Sequence, residues 1–193
     1  GDNRDMYAKA MKYFFIFSLL AFLVVMGYMD ILRYMVARDY WEGLSVVAIV
    51  MLAEIFKGIY FNLSFWYKLT DETRWGAYFS LIGCAVILAL NVWLVPTYGY
   101  VASAWASVAG YGVITLLSYF IGQKKYPVDY PLKDMAVYLL LAGVLYAISV
   151  WIPVRNTVLH LLVNTVLILV FVGYILKKDL PLKSIPILNR LVK

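Results

Sequence analysis

Glu54 and Lys57 are the residues of this sequence whose types and spacing most invite chemistry. Both lie inside a long apolar stretch, 11 and 14 residues past Gly43. At about 1.5 Å of helical rise per residue, that places them roughly 16 and 21 Å along a helix. An i,i+3 spacing puts both side chains on one face, where they can pair. A charge held in hydrocarbon at that depth costs about 2.5 kcal/mol or more, so such residues face a cavity or a partner. Two readings follow. The pair is either a charged patch on a substrate or ion path, or a self-neutralising couple in which Lys57 extends toward the headgroups.

Asn62 joins this candidate path, and Asn91, His160 and Asn164 are secondary polar candidates. Asn91 precedes Pro96 by about one turn and is expected to stabilise helix ends. His160 and Asn164 share a face by their i,i+4 spacing, and a lone histidine in a bundle is expected to bond between helices. The chain has one histidine and one cysteine, Cys84, so a protein-built transition-metal site is not expected. Cys84 has no partner in the sequence for a disulfide. The sequon Asn62-Leu63-Ser64 falls at the end of an apolar stretch and is discounted. No nucleophile elbow, phosphate-binding loop or paired-carboxylate motif occurs. The adjacent Asp71 and Glu72, flanked by Lys68 and Arg74, read as a solvated turn. The chain is therefore expected to be no enzyme and to need no cofactor.

The elements that position these residues follow from composition. Apolar residues make up 64% of the 193 positions, 15% are charged, and the mean hydropathy is +0.82. A water-soluble fold could not spread so few charges over its surface without large apolar patches. Six stretches are long enough to cross about 30 Å of hydrocarbon as helices. They run approximately Tyr13–Met29, Leu44–Tyr67, Gly76–Leu94, Tyr100–Gly122, Met135–Ile152 and Thr157–Leu176. The fold class is thus all-α, a polytopic membrane helix bundle. Val95–Gly99, with its Pro and Gly, is expected as the tight turn between the third and fourth spans. The segment Ile31–Trp41 is expected either as a short interfacial helix or as a structured loop.

The net charge of +6 would raise nucleic acid as a partner in a soluble protein. Here the basic residues sit between apolar stretches, so topology explains them and no nucleic acid is expected. Thirteen Lys and Arg fall on one side: Arg4, Lys9, Lys12, Lys68, Arg74, Lys124, Lys125, Lys133 and five from Lys177 onward. Three, Arg33, Arg38 and Arg155, fall on the other. The positive-inside rule then puts both ends of the chain in the cytoplasm. Trp41, Trp93 and Trp151 at one set of span ends, and Trp66 and Trp75 at the other, read as interfacial anchors.

The fourth span carries Ala102, Ala106 and Gly110 at four-residue intervals, the small-residue pattern that lets helix backbones approach closely. It is read as a packing helix. Residues 1–122 are expected as four spans of one lobe, 123–176 as two further spans, and 177–193 as a cytoplasmic tail. With no initiator Met and a loop-like Gly1-Asp2-Asn3-Arg4-Asp5, the chain is expected to be a piece of a longer one.

One ordered set of motifs carries a resemblance. Asn91-Val92-Trp93-Leu94-Val95-Pro96-Thr97-Tyr98-Gly99 is followed by Val101-Ala102-Ser103-Ala104-Trp105-Ala106-Ser107. Upstream stand Tyr40-Trp41-Glu42, Gly58-Ile59-Tyr60-Phe61-Asn62-Leu63-Ser64 and Lys68-Leu69-Thr70-Asp71-Glu72-Thr73; downstream stands Tyr126-Pro127-Val128-Asp129-Tyr130. This order resembles the C-terminal half of the bacterial oligosaccharide (O-antigen type) flippases of the multidrug/oligosaccharidyl-lipid/polysaccharide exporter superfamily. Ser103 departs from the family pattern, which has Gly there, and Glu54-x-x-Lys57 matches no family motif. The resemblance implies the last six of about fourteen helices in a transporter whose two lobes enclose a cationic central cavity, the first eight helices being absent from this sequence. It implies a bacterial cytoplasmic membrane, a polyprenyl-diphosphate-linked oligosaccharide as substrate, and alternating access driven by an ion gradient. Membrane lipid and the polymerase or glycosyltransferases of surface polysaccharide or lipopolysaccharide synthesis are the implied partners. In such a cationic cavity Lys57 has the sign and depth to offset an anionic headgroup, with Glu54 setting its protonation or taking part in ion coupling.

Two other classes compete. A multidrug or cation antiporter of the same superfamily favours an acidic cavity, and this chain offers one Glu beside a Lys. An integral membrane glycosyl- or acyltransferase needs catalytic His, Asp or Glu in its loops, which here lack His. A scaffold or anchor subunit is a further reading.

Overall fold

The computed structural model describes residues 3–152 and 156–179. Part of the expected tail, residues 180–193, lies outside them, as does Arg155. The described residues are almost wholly helical and contain no strand. In chain order the helices are α1 (Arg4–Gly27), α2 (Met29–Leu32), α3 (Val47–Leu63), α4 (Phe65–Leu69), α5 (Arg74–Tyr98), α6 (Tyr100–Lys125), α7 (Leu132–Trp151) and α8 (Thr157–Lys178). Two 3-10 segments, Arg33–Met35 and Arg38–Val46, fill most of the stretch between α2 and α3.

Among the described residues six helical stretches are long and apolar enough to cross a membrane, the second being the run Arg38–Leu69. Large apolar side chains such as Leu81, Val92 and Leu140 are exposed along them. That surface is intelligible in lipid, which solvates it, and unintelligible in water. The fold is an all-α membrane helix bundle.

Three local expectations are corrected. The turn expected over Val95–Gly99 shrinks to Gly99 alone, because α5 continues through Pro96 to Tyr98. Proline fixes a helix-compatible φ and forfeits one backbone bond, a small loss so close to a helix end. Gly99 has φ +64° and ψ −150°, a conformation that a Cβ disfavours, and there the chain reverses. The segment Ile31–Trp41 is neither one interfacial helix nor a plain loop. It is a succession of short helical pieces, and none of α2 or the two 3-10 segments contains a buried residue. Finally, Trp66 is not an interfacial anchor, being buried within the bundle. Trp93 and Trp151 are highly exposed.

The chain divides into two compact units. The first comprises Gly1–Phe15 and Asp39–Leu132. Within it α6 packs along both α3 and α5. Its buried positions include Ala102, Ala106, Gly110, Ile114, Ser118 and Gly122, a ridge at four-residue spacing longer than the three small residues first marked. A Cβ on Gly110 would strike the Ile87 side chain of α5, so close approach of the two helices depends on glycine there. An aromatic core of Tyr60, Trp66, Tyr67 and Phe79 closes around Ile114. Trp66 Nε1 donates to Ser118 Oγ at 3.1 Å, and Thr115 Oγ1 donates to the Phe56 carbonyl at 3.0 Å, fastening α6 to its neighbours.

The second unit comprises Ile16–Arg38 and the chain from Lys133 onward. Tyr138 and Phe171 are fully buried there, their ring centroids 6.0 Å apart. The Tyr138 hydroxyl donates to Asp179, and Lys178 pairs with Asp134 at 2.9 Å.

Candidate functional site

In the first unit, α3, α5 and α6 border a half-open groove of about 380 Å3. Lys57 and Tyr60 reach it from α3, Ser80, Gly83 and Cys84 from α5, and Tyr111 from α6. The small residues explain the space. Gly83 and Gly110 bring α5 and α6 together, and Tyr60 of α3 reaches Phe79 of α5 edge-on, their ring centroids 6.1 Å apart.

Lys57 supplies the groove's charge. Its Nζ lies 3.2 Å from Glu54 Oε2, so the predicted one-face pair forms. The same Nζ stands 5.7 Å from the Tyr111 ring centroid, within cation–π range. Glu54 is the more exposed partner, 58% against 36%, and does not line the groove. The other polar groups of the wall are partly engaged. Ser80 Oγ donates to the Gly76 carbonyl at 2.8 Å, and the hydroxyls of Tyr60 and Tyr67 lie 3.3 Å apart. The chemistry on offer is therefore electrostatic: one ammonium at the side of a largely apolar slot. Among the described residues no cluster of three or more His, Cys, Asp or Glu could hold a metal ion.

The remaining sequence candidates do not join Lys57. The Asn62 amide donates to Gly58 O at 3.0 Å and that of Asn91 to Ile87 O at 2.7 Å, each within its own helix. Asn91 thus bonds a carbonyl two turns or more from the end of α5 rather than capping that end. His160 and Asn164 lie in the second unit, bonded to α1, α2 and α7. Ala102, Ala106 and Gly110 are buried on α6.

Sequence reading missed several partners. Asp30, which falls between the first expected span and the segment Ile31–Trp41 and has no role in that reading, lies 2.9 Å from His160 Nδ1, and Ser149 Oγ donates to Asn164 at 2.6 Å. Their separations of 130 and 15 residues leave no local pattern. Glu72 is no plain solvated turn either. It accepts from Lys125 at the end of α6 and from the Trp75 indole at 2.7 Å. The Lys125 hydrogen bond, then that of Trp75, hold its carboxyl below the usual glutamate range. Nearby, the Gln123 amide brackets Val128 through both backbone groups. Burial pushes the neighbouring Tyr130 phenol up to about 12.

No family model, curated protein or solved structure matches this chain. The class the fold defines is that of a multi-pass, all-α membrane protein.

Proposed function

We propose that this chain is the C-terminal portion of a flippase that carries polyprenyl-diphosphate-linked oligosaccharide across the bacterial cytoplasmic membrane. The observation that carries the reading is Lys57, a cation within a span and on the wall of a groove large enough for a ligand group. A diphosphate loses much hydration on entering such a site, and a basic side chain offsets that loss. The sign of the wall favours an anionic headgroup over a cationic drug. The motif run from Asn91 to Ser107 supports the same family, and the Lys and Arg asymmetry favours cytoplasmic ends. Alternating access moves the site from one side to the other, and the remainder of the cavity comes from the absent helices.

The test is complementation of surface polysaccharide in a flippase-null strain by the full-length protein, with membrane levels matched. Lys57→Arg is expected to retain export and Lys57→Ala to lose it. If the pair is only structural, Glu54→Gln/Lys57→Met removes both charges and their burial cost together. Wild-type export from that double variant would end the role given to Lys57, and failure of the unmutated full-length protein to restore export would end the flippase reading.

A further inference from the structure

Asn164 is 1% exposed inside the second unit, yet its amide is satisfied on both sides. Nδ2 donates to the Gly27 carbonyl at 2.8 Å, and Oδ1 accepts from Ser149 Oγ at 2.6 Å. One turn earlier on α8 stands His160. Its Nδ1 lies 2.9 Å from Asp30 Oδ2, while its Nε2 lies 3.2 Å from the Ser149 carbonyl and 3.5 Å from Asn164 Nδ2.

A neutral imidazole has one N–H and one bare nitrogen. Here a carboxylate faces one ring nitrogen and a carbonyl faces the other. The doubly protonated ring donates to both acceptors at once. A ring that keeps Nδ1–H on Asp30 and loses the Nε2 proton turns a lone pair toward the Ser149 carbonyl. Its remedy is adjacent. Asn164 Nδ2 has a second hydrogen that Gly27 does not use, and it stands within reach of the same Nε2.

We propose that His160 and Asp30 form a proton-binding site with two settled states. In the loaded state an imidazolium bridges Asp30 and the Ser149 carbonyl. On release the Nε2–H bond breaks, the proton passes to water, and Nε2 takes a hydrogen bond from Asn164. The pair goes from zero net charge to −1. His160 and Asp30 are 26% and 32% exposed, so protons reach them without opening the core. Asp30, from α2, is the charged group in contact with the ring among the described residues. From α7 the ring meets a carbonyl, and on α8 it meets the Asn164 amide. The nearby titratable Tyr28 hydroxyl pairs with Thr165 Oγ1 at 2.8 Å. The proton thus decides whether α8 is tied through His160 to α7 or only within itself, and α2 is held in both states. The inference does not rest on the transport reading.

The full-length protein in lipid nanodiscs, labelled with 15N-histidine, tests it directly. Resonances absent from His160→Gln identify the ring. On the acid side of the titration both ring nitrogens are expected to carry protons and on the basic side Nδ1 alone, and Asp30→Asn is expected to lower the proton affinity about tenfold or more. The Asn164 side-chain amide resonance is expected to shift at the same midpoint as the ring. A wild-type ring that loses its proton from Nδ1 rather than Nε2 overturns the proposal without need of any variant. So does an affinity unmoved by Asp30→Asn, or an Asn164 amide that ignores the titration.

Discussion

Trp66 Nε1 lies 3.1 Å from Ser118 Oγ, joining the end of the α3–α4 run to the ridge of α6 across 52 residues. Both residues are almost fully buried, and a Cβ on Gly122 would come within 2.7 Å of the same indole. The indole fills the space that the glycine leaves. Ser118→Val removes the acceptor and strands a buried N–H, which costs about 1–3 kcal/mol. Thermal melting in detergent should register it. Trp66→Phe/Ser118→Ala removes both polar partners and should recover part of the loss; a double variant no better than Ser118→Val would deny the bond its role.

Ala106 is 1% exposed at the centre of the α6 ridge. Ala106→Leu is expected to overpack the ridge and destabilise the protein by about 1–3 kcal/mol. Leu substituted at Val92, an exposed position on α5, is the control and should leave yield and melting unchanged.

Cys84 is exposed and lines the groove that Lys57 enters, so its thiol reports occupancy. A lipid diphosphate should slow alkylation of Cys84 in the wild type and do so far less in Lys57→Ala. An uncharged lipid of the same chain length should protect both proteins equally. Equal protection by both lipids in the wild type would remove the electrostatic role given to Lys57.

The Glu72–Lys125 pair sets a pH dependence with a definite sign. The carboxyl of Glu72 is held below its ordinary range, so its folded form favours the charged state. The stabilisation is complete above the unfolded value of about 4.3 and is lost as pH falls through the lower folded value. Melting temperatures of wild type and Glu72→Gln should therefore differ at pH 6 and draw together as pH falls below the unfolded value. A gap that does not narrow on acidification would assign the difference to packing.

Orientation is open to direct measurement. Lys125→Cys and Glu72→Cys, on the side given to the cytoplasm, should resist an impermeant thiol reagent in intact cells and react in inverted vesicles. Labelling from outside would reverse the topology.

The six spans were legible in the sequence because crossing a bilayer is a local demand, met by about 20 consecutive apolar residues whatever else the chain does. The Glu54–Lys57 pair was legible for the same reason, since three residues on one helix fix a shared face. So was the small-residue ridge from Ala102 to Gly110, although its continuation through Ile114 and Ser118 to Gly122 mixes residue types and emerged only in the packing. What the sequence could not supply was the rotation of each helix about its own axis. In a soluble helix the polar face points outward and reveals that rotation; here lipid and core accept the same Leu, Val and Phe, so the apolar pattern has no phase. Trp66 therefore read as an interfacial anchor until tertiary packing turned it against Ser118. Asp30 carried no signal until α2 and α8 met within their own unit. Contacts across 52 and 130 residues depend on which faces oppose one another, and that is decided by shape fit and by the few polar groups that must find partners out of water.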